Sequence, residues 1–112
     1  MYELDNEKAK ELYYYLFLTR KLDEKICELY KEDNLPEKPL SAIGQEATAV
    51  GATFTLRKED YVMPSLRTRG AFLTKGLSIE ELLTEMYRKE GSKSNGRWTA
   101  HHMGAPEKNI LL

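Results

Sequence analysis

The sequence lacks the features that mark several common classes of protein. It contains one cysteine, Cys27, so an internal disulfide bond is excluded. The longest apolar run, residues 13–18, is far shorter than the roughly 20 residues that a membrane-spanning helix needs. Residues 1–11 carry four acidic side chains and do not fit the apolar core of a signal peptide. Together these absences predict a soluble protein of a reducing compartment, the cytoplasm, with no membrane partner.

Neither sign of charge dominates the chain. It has 17 basic and 18 acidic residues, a net charge of -1, and the two signs are interspersed. A nucleic-acid-binding surface needs a basic patch or stripe, so we expect no nucleic-acid partner. With 112 residues the chain is one domain or part of one, near the lower end of the usual domain size.

The most regular pattern lies in the N-terminal third. From residue 6 to residue 33 apolar side chains recur at helical spacing, with Lys and Glu on the opposite face. Neither Gly nor Pro interrupts the pattern, and Asp5 or Asn6 is available as the N-cap. The pattern predicts one long amphipathic helix over residues 6–33, ended by the two prolines of residues 34–39.

Residues 44–56, GQEATAVGATFTL, predict a second helix of a different kind. Beyond Glu46 the segment has no charged residue and small side chains dominate. A helix without a polar face is normally enclosed by protein, and Gly51 in its middle costs about 1 kcal/mol relative to alanine. We therefore predict a buried helix with close backbone packing at Gly51, and a partner surface that covers it.

The middle of the chain alternates short elements with turns. Residues 61–63 predict a short strand that Pro64 ends, and a helical stretch follows over residues 68–75 before Gly76.

The last part of the chain begins with a recognisable helix start. Ser78 and Glu81 have the spacing of a capping box, which predicts a helix over residues 78–89. Residues 91–112 have no periodicity and predict a loop. The expected fold class is therefore predominantly α: a long N-terminal helix, a buried second helix, one short strand and a capped later helix.

Few side chains suggest chemistry on their own. His101 and His102 are adjacent, but no Cys, Asp or second His pair lies at a zinc-type spacing, so a surface or interface loop is the simpler interpretation. Cys27 has no nearby histidine and is interpreted as a small packing residue. Arg67 and Arg69 follow the predicted strand, where they form either an anion site at a helix start or two solvated arginines.

Three segments in order resemble the alpha subunit of the thiamine-diphosphate-dependent, decarboxylating component of 2-oxo acid dehydrogenases. That family includes the pyruvate, branched-chain and acetoin types, and the likeness extends over residues 8–112. Besides the TRKLDEKICELY stretch of the first helix, the segments that carry it are Ile43–Ala47 with Gly51, Asp60–Val62 with Arg67 and Gly70, and Gly96–Arg97 with His102 and Pro106–Glu107.

The resemblance implies that residues 1–112 are the N-terminal portion of an α/β thiamine-diphosphate-binding fold. In the family the alpha subunit holds the diphosphate with magnesium, while the beta subunit holds the aminopyrimidine. Arg67 matches the arginine that contacts the diphosphate, and His102 matches a histidine near the cofactor and the substrate entrance. The resemblance thus implies Arg67 as a cofactor-binding residue and His102 as a catalytic residue.

The chain departs from the family pattern at several positions near the expected cofactor. The family's tyrosine before the arginine, its two histidines and the small residues of the Gly-Arg loop are replaced by Leu66, Leu40, Arg69 and Trp98–Thr99. The magnesium motif, Gly-Asp-Gly followed by a later Asn, does not occur in residues 1–112. We therefore expect this chain alone to be inactive.

Three hypotheses follow for the function. The first is a segment of the dehydrogenase alpha subunit, completed by the remainder of that subunit or a beta subunit in a hetero- or homo-oligomer, with thiamine diphosphate and magnesium bound only in the assembly. The second is a non-catalytic helical assembly module derived from the family. The third is an unrelated helical binding domain.

Overall fold

A computed structural model describes residues 3–112 of the chain. Over that range the chain folds into four α-helices and one short 3-10 helix, and no β-sheet forms. The helices are α1 (Asn6–Lys31), α2 (Glu46–Phe54), α3 (Arg69–Thr74) and α4 (Ile79–Met86), and the 3-10 helix is Pro106–Lys108. The predicted predominantly helical fold class is confirmed. None of these helices is long and apolar enough to cross a membrane.

Both ends of the long helix α1 are determined by residues next to it in the sequence. The Asp5 side chain accepts a hydrogen bond from the Lys8 N–H at 2.8 Å, which satisfies one of the free amides of the first turn. The helix ends at Lys31, slightly before the predicted residue 33, because Asp33 adopts a left-handed φ of 57°. Its fully buried stripe is Thr19, Leu22, Asp23 and Ile26.

Helix α2 is buried on one face only. Ala49, Val50 and Thr53 are buried where α2 contacts α1 and α3, and Val50 is completely inaccessible. On the opposite face Ala47, Thr48 and Ala52 are exposed. Within residues 3–112 only one face of the predicted buried helix is covered by protein. The exposed face carries small side chains.

The close helix approach occurs at Gly70 of α3 rather than at Gly51. A Cβ atom on Gly70 would lie 2.7 Å from Val50 Cγ2 and 3.1 Å from Thr19 Oγ1, whereas a Cβ on Gly51 would meet nothing within 4 Å. The predicted close packing at Gly51 is thus not found among the described residues. The sequence showed a glycine within a helix of small residues, but it did not show whether another helix packs closely against that glycine.

Helix α4 starts with the predicted capping box. Ser78 Oγ accepts from the Glu81 N–H at 3.1 Å, and the Glu81 carboxylate accepts from the Ser78 N–H at 2.8 Å. The helix ends at Met86, earlier than the predicted residue 89, because Arg88 adopts a φ of 53°. Its inner side chains join the single hydrophobic core.

Residues 91–112 contain no α-helix, as predicted for a loop, but they pack firmly onto the core. Ala100, Met103, Ala105 and Ile110 are all buried, and Ile110 is completely inaccessible. These apolar residues stand at irregular spacing, so their burial leaves no periodic signal in the sequence.

The predicted strand at residues 61–63 is reduced to a single parallel bridge between Val62 and Ile110. The Val62 N–H donates to Asn109 O at 3.0 Å, and the Leu111 N–H donates to Val62 O at 2.8 Å. Ile110 also forms an antiparallel bridge with Ala105. The extended conformation was predicted correctly, but among the described residues no further strand joins it to make a sheet.

Candidate functional site

Arg69 is buried in an ion pair with Asp23 of α1. The two residues are 7% and 1% exposed, and Arg69 Nη1 donates both to Asp23 Oδ1 and to the Leu40 carbonyl, the latter at 2.8 Å. The second Asp23 oxygen accepts from Ser41 Oγ at 3.0 Å and from the Ala42 N–H at 2.5 Å. Of the two alternatives left open by the sequence, neither a solvated Arg69 nor an anion site at Arg69 is found, because its charge is neutralised by Asp23.

A second carboxylate, that of Glu46, links the end of residues 40–46 to α1. Glu46 accepts a hydrogen bond from Arg20 Nε of α1 and another from the Gly44 N–H at 3.0 Å. The Arg20 guanidinium holds the pKa of the Glu46 carboxyl below its usual value, and partial burial opposes that shift. Gly44 has a φ of 93°, which a glycine adopts without strain. Asp23 and Glu46 thus fasten residues 40–46 to α1.

Arg67 has a different environment from Arg69. Its side chain is exposed, and no hydrogen bond or ion pair with another residue of 3–112 involves it. Four surface cavities of the described chain are lined by other residues and not by Arg67. Since α3 has only six residues, its macrodipole adds little, and anion binding at this turn would depend on the Arg67 guanidinium itself.

The two histidines lie in the loop before the 3-10 helix, and the imidazole ring of each has one polar contact. His102 is exposed, and its Nδ1 lies 3.1 Å from Thr99 Oγ1. His101 Nε2 donates to the Lys38 carbonyl at 3.0 Å, which fixes the proton on Nε2 in the neutral ring. Within residues 3–112 no group of three or more His, Cys, Asp or Glu side chains is placed to hold a metal ion.

The structure brings the two candidate regions to one segment of backbone. Arg69 contacts the carbonyl of Leu40, and His101 contacts the carbonyl of Lys38, two residues away. Two residues of extended chain span at most about 7 Å. Arg67 and His102 make no direct contact with each other. Arg69 and His101, which lie close to them in the sequence, bind the carbonyls of Leu40 and Lys38.

The substituted family positions have distinct environments. Leu66 is exposed beside Arg67, and Leu40 is half-buried with its carbonyl bound by Arg69. Trp98 is partly buried and packs against the hydrophobic core. Leu66 and Leu40 thus stand where the family has polar side chains, and Trp98 adds bulk where the family has a small residue.

Sequence reasoning missed the carboxylates that organise this region. Asp23 was overlooked although it follows Leu22 on the stripe formed with Thr19 and Ile26, where a charged residue is unusual. That position was the available signal for a buried ion pair. Nothing local indicated that its partner would be Arg69, because the two are 46 positions apart.

Comparison with known proteins gives matches over nearly the whole chain. The family model described as dehydrogenase E1 component matches residues 14–112. The chain therefore belongs to the dehydrogenase E1 component family, and it corresponds to the N-terminal part of the alpha subunits.

Three relatives show the extent of the similarity. The 2-oxoisovalerate dehydrogenase subunit alpha of Bacillus subtilis (strain 168) is 34% identical over 110 residues, which cover 96% of this chain and 33% of that protein. The pyruvate dehydrogenase E1 component subunit alpha of Rhizobium meliloti is 30% identical over 96% of this chain and 31% of its own length. The testis-specific mitochondrial form from Rattus norvegicus is 29% identical, with coverage of 91% and 26%. The chain thus spans about a third or less of these relatives.

Proposed function

We propose that this chain contributes the diphosphate side of a thiamine-diphosphate site, and an assembly surface, to an E1 alpha subunit that acts in the oxidative decarboxylation of a 2-oxo acid. The observation that carries the proposal is the Arg67 guanidinium, which is exposed and unengaged by the other described residues. Arg20, Arg57, Arg69 and Arg88 each form an ion pair instead. Arg97 is also exposed and its guanidinium has no partner among the described residues, but it does not stand at the position of the family's diphosphate-binding arginine. An unpaired guanidinium is suited to bidentate phosphate binding.

The backbone at Arg67 supports the same proposal. Its φ of 64° lies in the left-handed region, which is unfavourable for a residue with a long side chain. Such conformations often occur at binding sites, where the surrounding structure maintains them. Thr68 Oγ1 donates to the Ser65 carbonyl and so closes the turn that holds Arg67.

The described residues offer a donor for the diphosphate but no ligands for magnesium. Arg67 offers donors for a diphosphate oxygen, but residues 3–112 provide no cluster of carboxylates for magnesium, which requires hard oxygen ligands. We therefore infer that magnesium is held by residues outside this segment, in a completed assembly with the rest of an alpha subunit, a beta subunit or both.

In such an assembly each residue has a defined task. Bound thiamine diphosphate supplies the electron sink for decarboxylation. Arg67 would orient the diphosphate. His102 would present Nε2 to the substrate, because its Nδ1 is held by Thr99 Oγ1. The location predicted from the sequence, the cytoplasm, stays a prediction.

Calorimetry with thiamine diphosphate and magnesium tests the proposal. We expect no binding heat from the chain alone and binding once it is co-purified with the missing subunit parts. In that assembly Arg67→Ala should weaken cofactor affinity about 10- to 100-fold, because a hydrogen bond to a charged group contributes about 1.5–3 kcal/mol.

The matched control is Arg57→Ala, which removes an exposed arginine that pairs with Asp60 and should leave affinity unchanged. Micromolar binding by the isolated chain, or equal affinities of the Arg67→Ala and parent assemblies, would contradict the proposal.

The second candidate is a non-catalytic assembly module. The burial of Arg69 favours it, since the residue at the family's histidine position is engaged by Asp23 and unavailable to a ligand. Under this alternative the assembly forms but binds no cofactor, so the calorimetric titration of the complex distinguishes the two.

A further inference from the structure

Residues 99–102 form a tight turn that carries His102. The His102 N–H donates to the Thr99 carbonyl at 3.3 Å, and Thr99 Oγ1 lies 3.1 Å from His102 Nδ1. Ala100 and His101 are the two central residues of this turn. In a four-residue turn the central residues set the direction of the outer two, so the position of the His102 ring depends on where Ala100 and His101 are held.

Both central residues of the turn are bound by one short segment. The Ala100 N–H donates to Glu37 Oε2 at 2.8 Å, and His101 Nε2 donates to the Lys38 carbonyl at 3.0 Å. Each donor lies 63 positions from its acceptor in the sequence, so neither bond belongs to a helix or a hairpin. Of the two acceptors only Glu37 uses its side chain, and a substitution there removes the contact selectively.

The carboxylate of Glu37 has a defined position of its own. Its other oxygen accepts from Arg88 Nη2 at 2.6 Å, so both carboxylate oxygens are engaged. Pro36 and Pro39 stand on either side, and each ring fixes its own backbone φ. Leu35 and Pro39 are buried, which anchors this segment to the rest of the fold. Glu37 is therefore a fixed acceptor to which the turn is attached.

The Ala100 amide depends on this acceptor. Ala100 is only 8% exposed, and among the described residues Glu37 is the one that accepts its N–H. A buried donor that loses its acceptor is unfavourable, so the turn would move to bring the amide to water or to another acceptor. Loss of the Glu37 carboxylate is therefore expected to displace the turn and the His102 ring with it.

We propose that Glu37 is a positioning residue for His102, because it fixes through the Ala100 amide the turn that directs the His102 ring to the substrate. This inference rests on the proposed function, in which His102 Nε2 faces the substrate. Glu37 forms no hydrogen bond or ion pair with His102 or Arg67. Its effect on the reaction therefore passes through the turn.

Nuclear magnetic resonance of the full chain tests the geometry without any activity. In Glu37→Ala the Ala100 amide should exchange with solvent at least about tenfold faster. The nitrogen chemical shifts of the His102 ring should move toward those of a free imidazole, because the contact with Thr99 is lost. The control is Glu90→Ala, an exposed glutamate without a hydrogen bond or ion pair among the described residues, which should change neither signal.

A conservative variant separates the hydrogen bond from the charge. Glu37→Gln keeps an acceptor oxygen for the Ala100 N–H and removes the negative charge that pairs with Arg88. If the turn is fixed through the amide, Ala100 exchange in Glu37→Gln should stay within about threefold of the parent chain, since the bond to the amide is retained.

Double-mutant kinetics in the assembly loaded with thiamine diphosphate separate positioning from stability. Glu37→Ala should lower kcat about tenfold or more through misplacement of the His102 ring, and it should leave the cofactor Kd within about twofold. In a His102→Ala background the same substitution should lower kcat no further, since a positioning residue acts only through the group that it positions. A residue that merely stabilises the fold would lower kcat by the same factor in both backgrounds.

Three results would overturn the inference. They are parent-like Ala100 exchange and His102 ring signals in Glu37→Ala, a Glu37→Gln chain as perturbed as Glu37→Ala, and an equal loss of kcat in both backgrounds. If the ring signals of Glu37→Ala change but His102→Ala keeps the parent kcat, the role of His102 in the proposed function is refuted, while the control of its ring by Glu37 stands.

Discussion

Gly70 lies where α3 meets α1 and α2, and its missing side chain sets how closely these helices approach. The atoms that a Cβ on Gly70 would meet first belong to Val50 and Thr19, both fully buried. Thr19 is further fixed because its hydroxyl donates to the Tyr15 carbonyl at 2.7 Å. Neither neighbour has room to retreat in a close-packed interior.

Alanine substitutions at the two helical glycines should therefore have opposite effects. Gly70→Ala should lower the free energy of unfolding by about 1–3 kcal/mol through overpacking. Gly51→Ala should raise it by up to about 1 kcal/mol, because the site is open and alanine favours helix. Urea denaturation of the purified chain measures both values. Equal destabilisation by the two substitutions would contradict the packing described at Gly70.

The two arginines of the 65–70 turn show how residue type alone leaves a role undecided. Both were candidates for one anion site, yet Arg69 is buried against Asp23 while Arg67 is exposed. Arg67 lies in a left-handed turn before α3, whereas Arg69 is the first residue of α3, which packs against α1. A contact with a residue 46 positions away decided the role of Arg69.

At the scale of the element, α4 is specified mainly by its own sequence. The Ser78–Glu81 capping box satisfies two amides, and Leu82 and Met86 face the core one turn apart. Both features depend on residues three or four positions apart, which is why they were predictable.

Loss of the cap should have a measurable local cost. Ser78→Ala should lower the free energy of unfolding by about 1 kcal/mol, since the Glu81 amide loses its partner. Ser65→Ala, at an exposed serine outside any helix cap, is the control and should change it by less than about 0.5 kcal/mol. Thermal or urea unfolding provides the comparison. If the two variants are equally stable, the cap contributes nothing to the folded chain.

Residues 91–112 illustrate the opposite case. Their order depends on hydrogen bonds from backbone amides to carboxylates elsewhere in the chain. The Ser94 N–H donates to the buried Glu85 at 3.2 Å, and the Ala100 N–H donates to Glu37 at 2.8 Å. Such contacts have no fixed spacing. The sequence therefore predicted the absence of helix here but not the packing.

For the whole molecule, the Asp23–Arg69 ion pair joins three parts of the fold: α1, α3 and residues 40–42. Asp23→Asn should lower the free energy of unfolding by about 3–5 kcal/mol, because it leaves the Arg69 charge buried without a partner. Glu24→Gln, which removes an exposed pair with Lys21, should cost less than about 1 kcal/mol.

Chemical denaturation of both variants measures the difference. A second variant separates charge from packing: Asp23→Leu with Arg69→Met removes both charges and should recover part of the loss. Similar stability of Asp23→Asn and Glu24→Gln would show that the buried pair does not hold the three parts together.

The sequence by itself determined the elements whose signals are local, and through its ordered motifs it determined the family. The amphipathic period of α1, the capping box of α4 and the extended residues near Val62 each depend on neighbours within a turn or two. Only the tertiary structure decided which glycine permits close packing and which arginine is neutralised. Those outcomes depend on pairs of residues far apart in the chain, and their distances are fixed only when the core packs.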